Sequence, residues 1–235
     1  KIDYALQITV EAMLHQHLDG VNNRILLQSI DKQFKRLPEL ENLMIADAKG
    51  TVLTGSGYKP SGPVNISDRN YFIYLRDHPD AGMVLSRPIV SKISGKWGVL
   101  CARRITYPGK LFGGVAFAVL PLQYFTDLFS KASLNQSGSI SLRSADLALI
   151  VYYSPLQQKS GSTYASGSKE VSLEWQRRLA KGEIAHGDYR AVSAVDSVKS
   201  SYSYRLLQPH QLYLNVGLAE DDYLAGWRKE LLLTA

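Results

Sequence analysis

The sequence predicts a mixed α+β protein, in which a long N-terminal helix precedes two modules, each an antiparallel sheet flanked by helices. Apolar residues recur every three to four positions up to about residue 37, which is typical of one amphipathic helix. After that segment, one order of elements occurs twice: a hairpin, a helix, three strands and a helix. The predicted divisions are a stalk helix at 1–37, a first module at 38–136, a second module at 137–220 and a C-terminal helix at 221–235.

The N-terminal segment contains one glycine, Gly20, and no proline before Pro38. At about 1.5 Å per residue, a continuous helix of this length would extend about 50 Å, which is more than a compact domain needs. We therefore expect a stalk. Where the modules leave its apolar stripe uncovered, that stripe would form a parallel homodimer interface.

The first module opens with a predicted hairpin, in which the polar turn 47–50 separates the apolar runs 43–46 and 51–53. A loop rich in Gly, Pro and Ser follows, and Asp68 is expected to cap a short helix that ends at Pro79. Three strands and a helix complete the module, at 83–90, 97–106, 112–120 and 122–131.

The second module repeats this order without repeating the sequence. Its hairpin is predicted from 139–142 and 147–153. A helix and three strands follow at 171–181, 187–195, 199–207 and 212–218.

Composition excludes several classes of protein. Hydrophobic residues make up 45% and charged residues 20%, which is ordinary for a globular chain. The net charge is +6, but the basic residues are scattered singly or in pairs, so we expect no nucleic-acid partner. No run approaches the roughly 20 apolar residues that span a bilayer. The single cysteine, Cys101, lies in an apolar run and is expected to be a buried, unreactive thiol.

Motifs for catalysis and for cofactor or metal binding are missing from the sequence. It has no HExxH, no GxxxxGK[ST], no GxGxxG and no GxSxG. His15 and His17 are two positions apart on a predicted helix, so they point in different directions and do not form a chelating pair. We therefore expect no catalytic residue, no cofactor and no metal, and a chain that is not an enzyme.

The candidate binding residues lie between positions 68 and 104. A helix-terminal Arg69 and strand residues such as Arg87 would face one cleft, where a guanidinium binds a carboxylate through two hydrogen bonds and aromatic rings line the apolar part. The predicted ligand-binding residues are Arg69, Tyr71, Tyr74, Arg87, Trp97 and Arg103.

Two alternatives remain open for these arginines. Arg69 could instead pair with an acid, namely Asp68, Asp77 or Asp80, and only brace the helix. Arg103 and Arg104 are adjacent on a strand and point to opposite faces, so at most one of them lines the pocket. We favour Arg103, because it shares its face with Cys101. The alternative, in which Arg104 lines the pocket instead, stays open.

Several segments resemble double Cache domains, also called double PDC domains, which are PAS-like sensors of bacterial histidine kinases, diguanylate cyclases and chemoreceptors. The similarity covers nearly the whole chain. Besides the long N-terminal helix, the matching segments are the hairpin at 45–52, Ser67–Phe72, Ser86–Val90, Gly95–Trp97 before 102–104, and 113–115 before Tyr124–Phe125.

The resemblance implies a ligand site in the membrane-distal module, with Arg69 and Tyr71 in the role of carboxylate-binding residues. Amino-acid-binding members place a tryptophan soon after the helix arginine, whereas the nearby tryptophan here is Trp97 on a strand. We therefore expect a simple organic acid rather than an α-amino acid. The resemblance also implies a membrane helix before Lys1, another after Ala235, and a cytoplasmic output domain.

The predicted function is therefore ligand sensing in the periplasm or extracellular space, by a domain tethered to the inner membrane. A small carboxylate would bind the first module and relay a conformational change to the output domain. The alternatives are a partner-binding or structural ectodomain without a small-molecule ligand, and, with less support, an enzyme.

Overall fold

The computed structural model describes residues 1–19, 23–57, 61–158, 171–208 and 210–224. The chain divides into two compact units, residues 1–124 and 125–235, and each unit has its own antiparallel sheet. Helices and antiparallel sheets confirm the predicted α+β class. The module limits 38–136 and 137–220 remain predictions.

The first unit is built on a sheet with the strand order β2-β1-β6-β5-β3, in which β4 also pairs with β5. Its helices are α1 (Ile2–Asp19), α2 (Asn23–Phe34), α3 (Asn70–Asp77) and the start of α4 (Leu122–Phe129). Its strands are β1 (Asn42–Ala46), β2 (Val52–Gly57), β3 (Val84–Leu85), β4 (Ile89–Val90), β5 (Trp97–Tyr107) and β6 (Leu111–Pro121).

The prediction of one long N-terminal helix is wrong, because the segment forms two helices that pack on each other. A single straight helix could not make such contacts with itself. Helix α1 also packs on β5 and β6, while α2 packs on β1 and β2, so Leu6, Leu26 and Ile30 are buried within the chain. Residues 20–22, including Gly20, lie outside the described part of the chain. The homodimer interface stays a prediction.

Strand β5 separates the two layers of the first unit. Its even-numbered residues Leu100 and Ala102 pack in one apolar cluster with Phe72 and Leu75 of α3. Its odd-numbered residues face α1, where Arg103 contacts Asp3. Cys101 is buried, as predicted, and burial raises the pKa of its thiol to about 12. The sheet is therefore covered by α1 and α2 on one face and by α3 on the other.

The predicted strand 83–90 is interrupted and forms the short strands β3 and β4. Pro88 has no N–H group to donate to a strand partner, which favours a break at this point. Ser86 fills part of the gap: its N–H donates to the Leu100 carbonyl at 2.8 Å, and its hydroxyl accepts from the Leu100 N–H at 3.0 Å. The irregular segment 86–88 therefore stays attached to β5.

The second unit has a sheet with the strand order β8-β7-β11-β10-β9. Its strands are β7 (Ser139–Arg143), β8 (Leu149–Tyr153), β9 (His186–Val192), β10 (Lys199–Leu207) and β11 (Leu212–Ala219). Helix α5 (Pro155–Gln158) is short. Helix α6 (Leu173–Ala180) is capped by Ser172, whose hydroxyl accepts a hydrogen bond from the Trp175 N–H at 3.3 Å. The predicted C-terminal helix is described only as far as Leu224.

An aromatic cluster forms the contact between α6 and this sheet. Trp175 of α6 is 1% exposed, and its ring centroid lies 5.4 Å from that of Tyr204 and 5.8 Å from those of Tyr189 and Tyr213. Tyr189 and Tyr202 stack with centroids 5.0 Å apart. The contact between α6 and its sheet is therefore formed by large rings, whereas the cluster beneath α3 in the first unit is mainly aliphatic.

A substitution at Gly114 tests the close contact between β6 and β1. Its φ is +116°, and a Cβ at this position would lie 2.0 Å from the Ala46 carbonyl oxygen. We expect Gly114→Ala to lower the free energy of unfolding by about 2–5 kcal/mol, because backbone strain of about 1–2 kcal/mol adds to overpacking of about 1–3 kcal/mol. Urea denaturation followed by circular dichroism measures the change.

The matched control is Gly109→Ala, at a φ of +77° with no atom within 4 Å of the added Cβ. This variant should lower the free energy of unfolding only by the backbone strain, which is about 1–2 kcal/mol. Equal losses in the two variants would contradict the close approach of β6 to β1.

Candidate ligand-binding site

A cleft of about 530 Å³ lies between α3 and the edge segment that contains β3 and β4. Four of the predicted ligand-binding residues line it together: Arg69, Tyr71, Tyr74 and Arg87. Ser86 and Ile89 line the same cleft, although the sequence alone did not single them out. The cleft therefore combines two guanidinium groups with aromatic and aliphatic surface.

Arg69 bridges the two sides of the cleft. It immediately precedes α3 with an extended backbone (φ −80°, ψ 134°), and its Nη2 donates to the Val90 carbonyl of β4 at 2.9 Å. A guanidinium has five N–H donors. Within the described residues, this is the single hydrogen bond that the Arg69 side chain forms, so further donors remain for a ligand.

The acid brace considered for Arg69 is absent from the described residues. Asp68 instead accepts from Lys92 Nζ at 2.6 Å, and Asp77 pairs with Arg76 at 2.8 Å. The prediction that Asp68 caps the helix is wrong for the same reason. Its carboxylate is occupied by Lys92, which holds the pKa of that carboxyl below its usual range. Arg69 therefore braces α3 through a carbonyl rather than through an acid.

The two tyrosines occupy different depths of the cleft. Tyr71 is 5% exposed and packs in the apolar cluster beneath the cleft, and burial raises the pKa of its hydroxyl. Tyr74 is 46% exposed and stacks on His78 with ring centroids 4.1 Å apart. Tyr71 therefore forms part of the floor, and Tyr74 forms part of the rim.

Arg87 lies in the irregular segment between β3 and β4. The Ser86 hydroxyl donates to the Arg87 carbonyl at 2.6 Å and also accepts from β5, which fixes the backbone here. Among the described residues, two cationic residues, Arg69 and Arg87, and one acidic residue, Asp68, line the cleft. Because Asp68 is already paired with Lys92, the cleft favours an anion.

Two of the predicted site residues lie elsewhere. Trp97 begins β5, pairs with Val90 and is 51% exposed, and it does not line the cleft. Arg103 points to the opposite face of the sheet, where its Nε lies 2.5 Å from Asp3 Oδ1 of α1. Neither Arg103 nor Arg104 lines the cleft, so the structure does not place Arg103 where it was expected. Cys101 does share its face, but that face is covered by α1 and not by α3.

Arg104 has a structural role behind the cleft. Its Nη1 donates to the carbonyls of Leu75 at 2.7 Å and Arg76 at 2.6 Å, which lie in the last turn of α3. Its guanidinium carbon lies 4.7 Å from the centre of the Phe112 ring. A cation at a helix C-terminus satisfies carbonyls that have no intrahelical partner. Arg104 therefore anchors the end of α3 to the sheet.

Comparison with known proteins identifies related folds. No family model matches the sequence, and no curated protein matches it. The structure is similar to the extracellular domain of rpHK1S-Z16, which carries a provisional assignment as a histidine kinase. The TM-score is 0.78 at 26% identity, over 96% of this chain and 88% of that one.

Two chemoreceptors are similar at lower identity. The ligand-binding domain of the Pseudomonas aeruginosa PAO1 amino acid chemoreceptor PctB, in complex with L-Arg, gives a TM-score of 0.68 at 13% identity, over 95% of this chain and 88% of that one. The ligand-binding domain of the Pseudomonas fluorescens chemoreceptor CtaA, in complex with L-leucine, gives a TM-score of 0.61 at 15% identity, over 93% of this chain and 86% of that one. This chain has the fold of a receptor sensor domain. The resemblance seen in the sequence is confirmed for the Cache-like extracellular domains of histidine kinases and chemoreceptors.

Neither a membrane span nor a metal site is found in the part of this sensor domain that the structure describes. No helix there is both long and apolar enough to cross a membrane. No group of three His, Cys, Asp or Glu side chains there could hold a metal ion. The cleft itself provides hydrogen-bond donors, positive charge and apolar surface.

The positions of the adjacent arginines on β5 predict different effects on stability. Arg104→Gln should lower the free energy of unfolding by about 3 kcal/mol or more, because buried carbonyls lose a charged donor worth about 1.5–3 kcal/mol per bond. Arg103→Gln should cost at most about 1 kcal/mol, since its ion pair with Asp3 is partly exposed to solvent. Urea denaturation compares the two variants, and a larger loss for Arg103→Gln would contradict the assignment of faces.

Proposed function

We propose that this chain is the extracytoplasmic sensing domain of a bacterial transmembrane receptor, that it is not an enzyme, and that it binds a small carboxylate in the cleft between α3 and β4. The observation that carries the proposal is Arg69. Its side chain joins the two walls of the cleft through Val90 and keeps further N–H donors. A ligand carboxylate bound there would contact both walls at once.

The similar domains of PctB and CtaA were crystallised with amino acids, which carry a carboxylate. In this chain, an α-ammonium group would also need an acceptor. Of the described residues that line the cleft, Asp68 is the one acid, and it is bonded to Lys92 at 2.6 Å. This favours an organic acid without an amino group over an α-amino acid, as the sequence also predicts.

Signalling would follow from a difference in affinity between two states of the domain. A ligand shifts a conformational equilibrium only as far as it binds one state more tightly than the other. A carboxylate held by Arg69, which is bonded to Val90, would draw the edge segment at 86–90 towards α3. Because β3 and β4 pair with β5, which also contacts α1, this movement would reach the N-terminal helix.

A thermal-shift screen against short mono- and dicarboxylates, α-amino acids and amines tests the ligand class. A ligand at 100 times its Kd adds about 2.7 kcal/mol. For a chain of this size, we therefore expect Tm to rise by about 5–10 °C with a carboxylate. The rise should be absent in Arg69→Ala.

Arg36→Ala is the matched control, since Arg36 is exposed and lies outside the cleft. This variant should keep the full shift. A carboxylate shift that survives Arg69→Ala would place the ligand elsewhere. No shift with any compound would favour the partner-binding alternative.

A further inference from the structure

Beside the aromatic cluster, the sheet of the second unit carries a group of polar side chains on the face that α6 covers. Ser139, Ser141 and Arg143 alternate along β7 and share this face, and Asn215 of β11 lies opposite Ser141. These side chains are all buried, at 4–6% exposure. Sheet faces that pack under a helix normally carry aliphatic side chains. A buried face with this composition therefore calls for a polar partner.

A small cavity lies between this face and Trp175 of α6. Its volume is about 30 Å³, and Arg143 and Asn215 also line it. A cavity needs a volume of at least about 10–15 Å³ to hold one buried water. The cavity therefore has room for about two waters or for one ligand of roughly two to four heavy atoms.

Among the buried polar atoms at the cavity, an indole N–H and an amide oxygen have no hydrogen-bond partner within the described residues. They are Trp175 Nε1 and Asn215 Oδ1, in side chains that are 1% and 6% exposed. Buried polar atoms in native proteins are almost always bonded to protein, water or ligand. An indole N–H only donates, so the missing partner of Trp175 is an acceptor.

Arg143 gives the cavity a positive charge. Its Nη1 donates to the Leu147 carbonyl at 2.7 Å, and its guanidinium carbon lies 5.9 Å from the centre of the Trp175 ring. Burial lowers the pKa of Arg143 to about 10, so it is still charged at neutral pH. Burial also raises the pKa of Tyr189 and Tyr202, which are therefore neutral there.

We propose that this cavity is a second binding site, which takes a small oxyanion no larger than a short monocarboxylate such as formate or acetate. Arg143 supplies the charge, and Trp175 Nε1 donates to an anion oxygen. Asn215 Nδ2 now donates to the Tyr189 hydroxyl at 3.0 Å. Rotation of this amide by 180° would let Nδ2 donate to the anion while Oδ1 accepts from Tyr189, so an anion satisfies both unpaired atoms.

The site is independent of the proposed function, because all of its residues lie in the second unit and the cleft lies in the first. An organic acid too large for this cavity could still bind the cleft. The two sites therefore differ in ligand size, and variants of each should leave the other intact.

Isothermal titration calorimetry of the full chain with sodium acetate and sodium formate, against sodium chloride at equal ionic strength, tests the proposal. We expect saturable binding of at least one carboxylate. Trp175→Phe keeps an aromatic ring but loses the donor, and Arg143→Gln loses the charge. Each should weaken binding about tenfold or more, as expected for the loss of a charge-assisted hydrogen bond.

The controls separate this site from the cleft and from misfolding. Trp97→Phe and Arg190→Gln change exposed residues outside the cavity and should bind as the parent chain does. Arg69→Ala should also retain acetate binding. Binding that Arg69→Ala abolishes and Trp175→Phe leaves unchanged would overturn the proposal. A chain that binds neither carboxylate would show that the cavity holds only water, which also overturns it.

Discussion

The alternation of side chains along β5 is the constraint on which the first unit depends. Successive residues of a strand point to opposite faces, so Arg103 and Arg104 serve different layers. Arg103 pairs with Asp3 of α1, while Arg104 holds the last turn of α3 through its carbonyls. The cleft exists because α3 is fixed in this way opposite edge strands that also pair with β5. A one-residue slip of β5 would exchange the two faces and remove the cleft.

The two units place their arginines in different settings. In the first unit, the cluster beneath α3 is mainly apolar, and Arg69 and Arg87 lie around an open cleft of about 530 Å³. In the second unit, Arg143 lies inside the core, beside a cavity of about 30 Å³. An open cleft suits a ligand with an apolar part. A small polar cavity suits an ion that is stripped of most of its water.

Local sequence patterns were enough to predict the hairpins, most strands and the cleft residues on α3, because these depend on neighbouring residues. The return of α2 along α1 was not predictable, since it follows from packing of Leu6, Leu26 and Ile30 within the chain rather than from helical spacing. Alternation showed that Arg103 and Arg104 face apart but not which face α3 covers. The predicted hairpin ended its first strand at residue 142, so Arg143 fell in the turn, whereas β7 in the structure continues to Arg143 and buries its side chain.

Hydrogen–deuterium exchange with and without a bound carboxylate is the most direct test of the claim that the ligand joins α3 to β4. The account predicts slower exchange of backbone amides in 70–77 and in 84–90, because one ligand would hold both walls of the cleft. Exchange around Trp175 in α6 should stay unchanged when the ligand is too large for the smaller cavity. Protection confined to other segments, with both walls unaffected, would contradict the account.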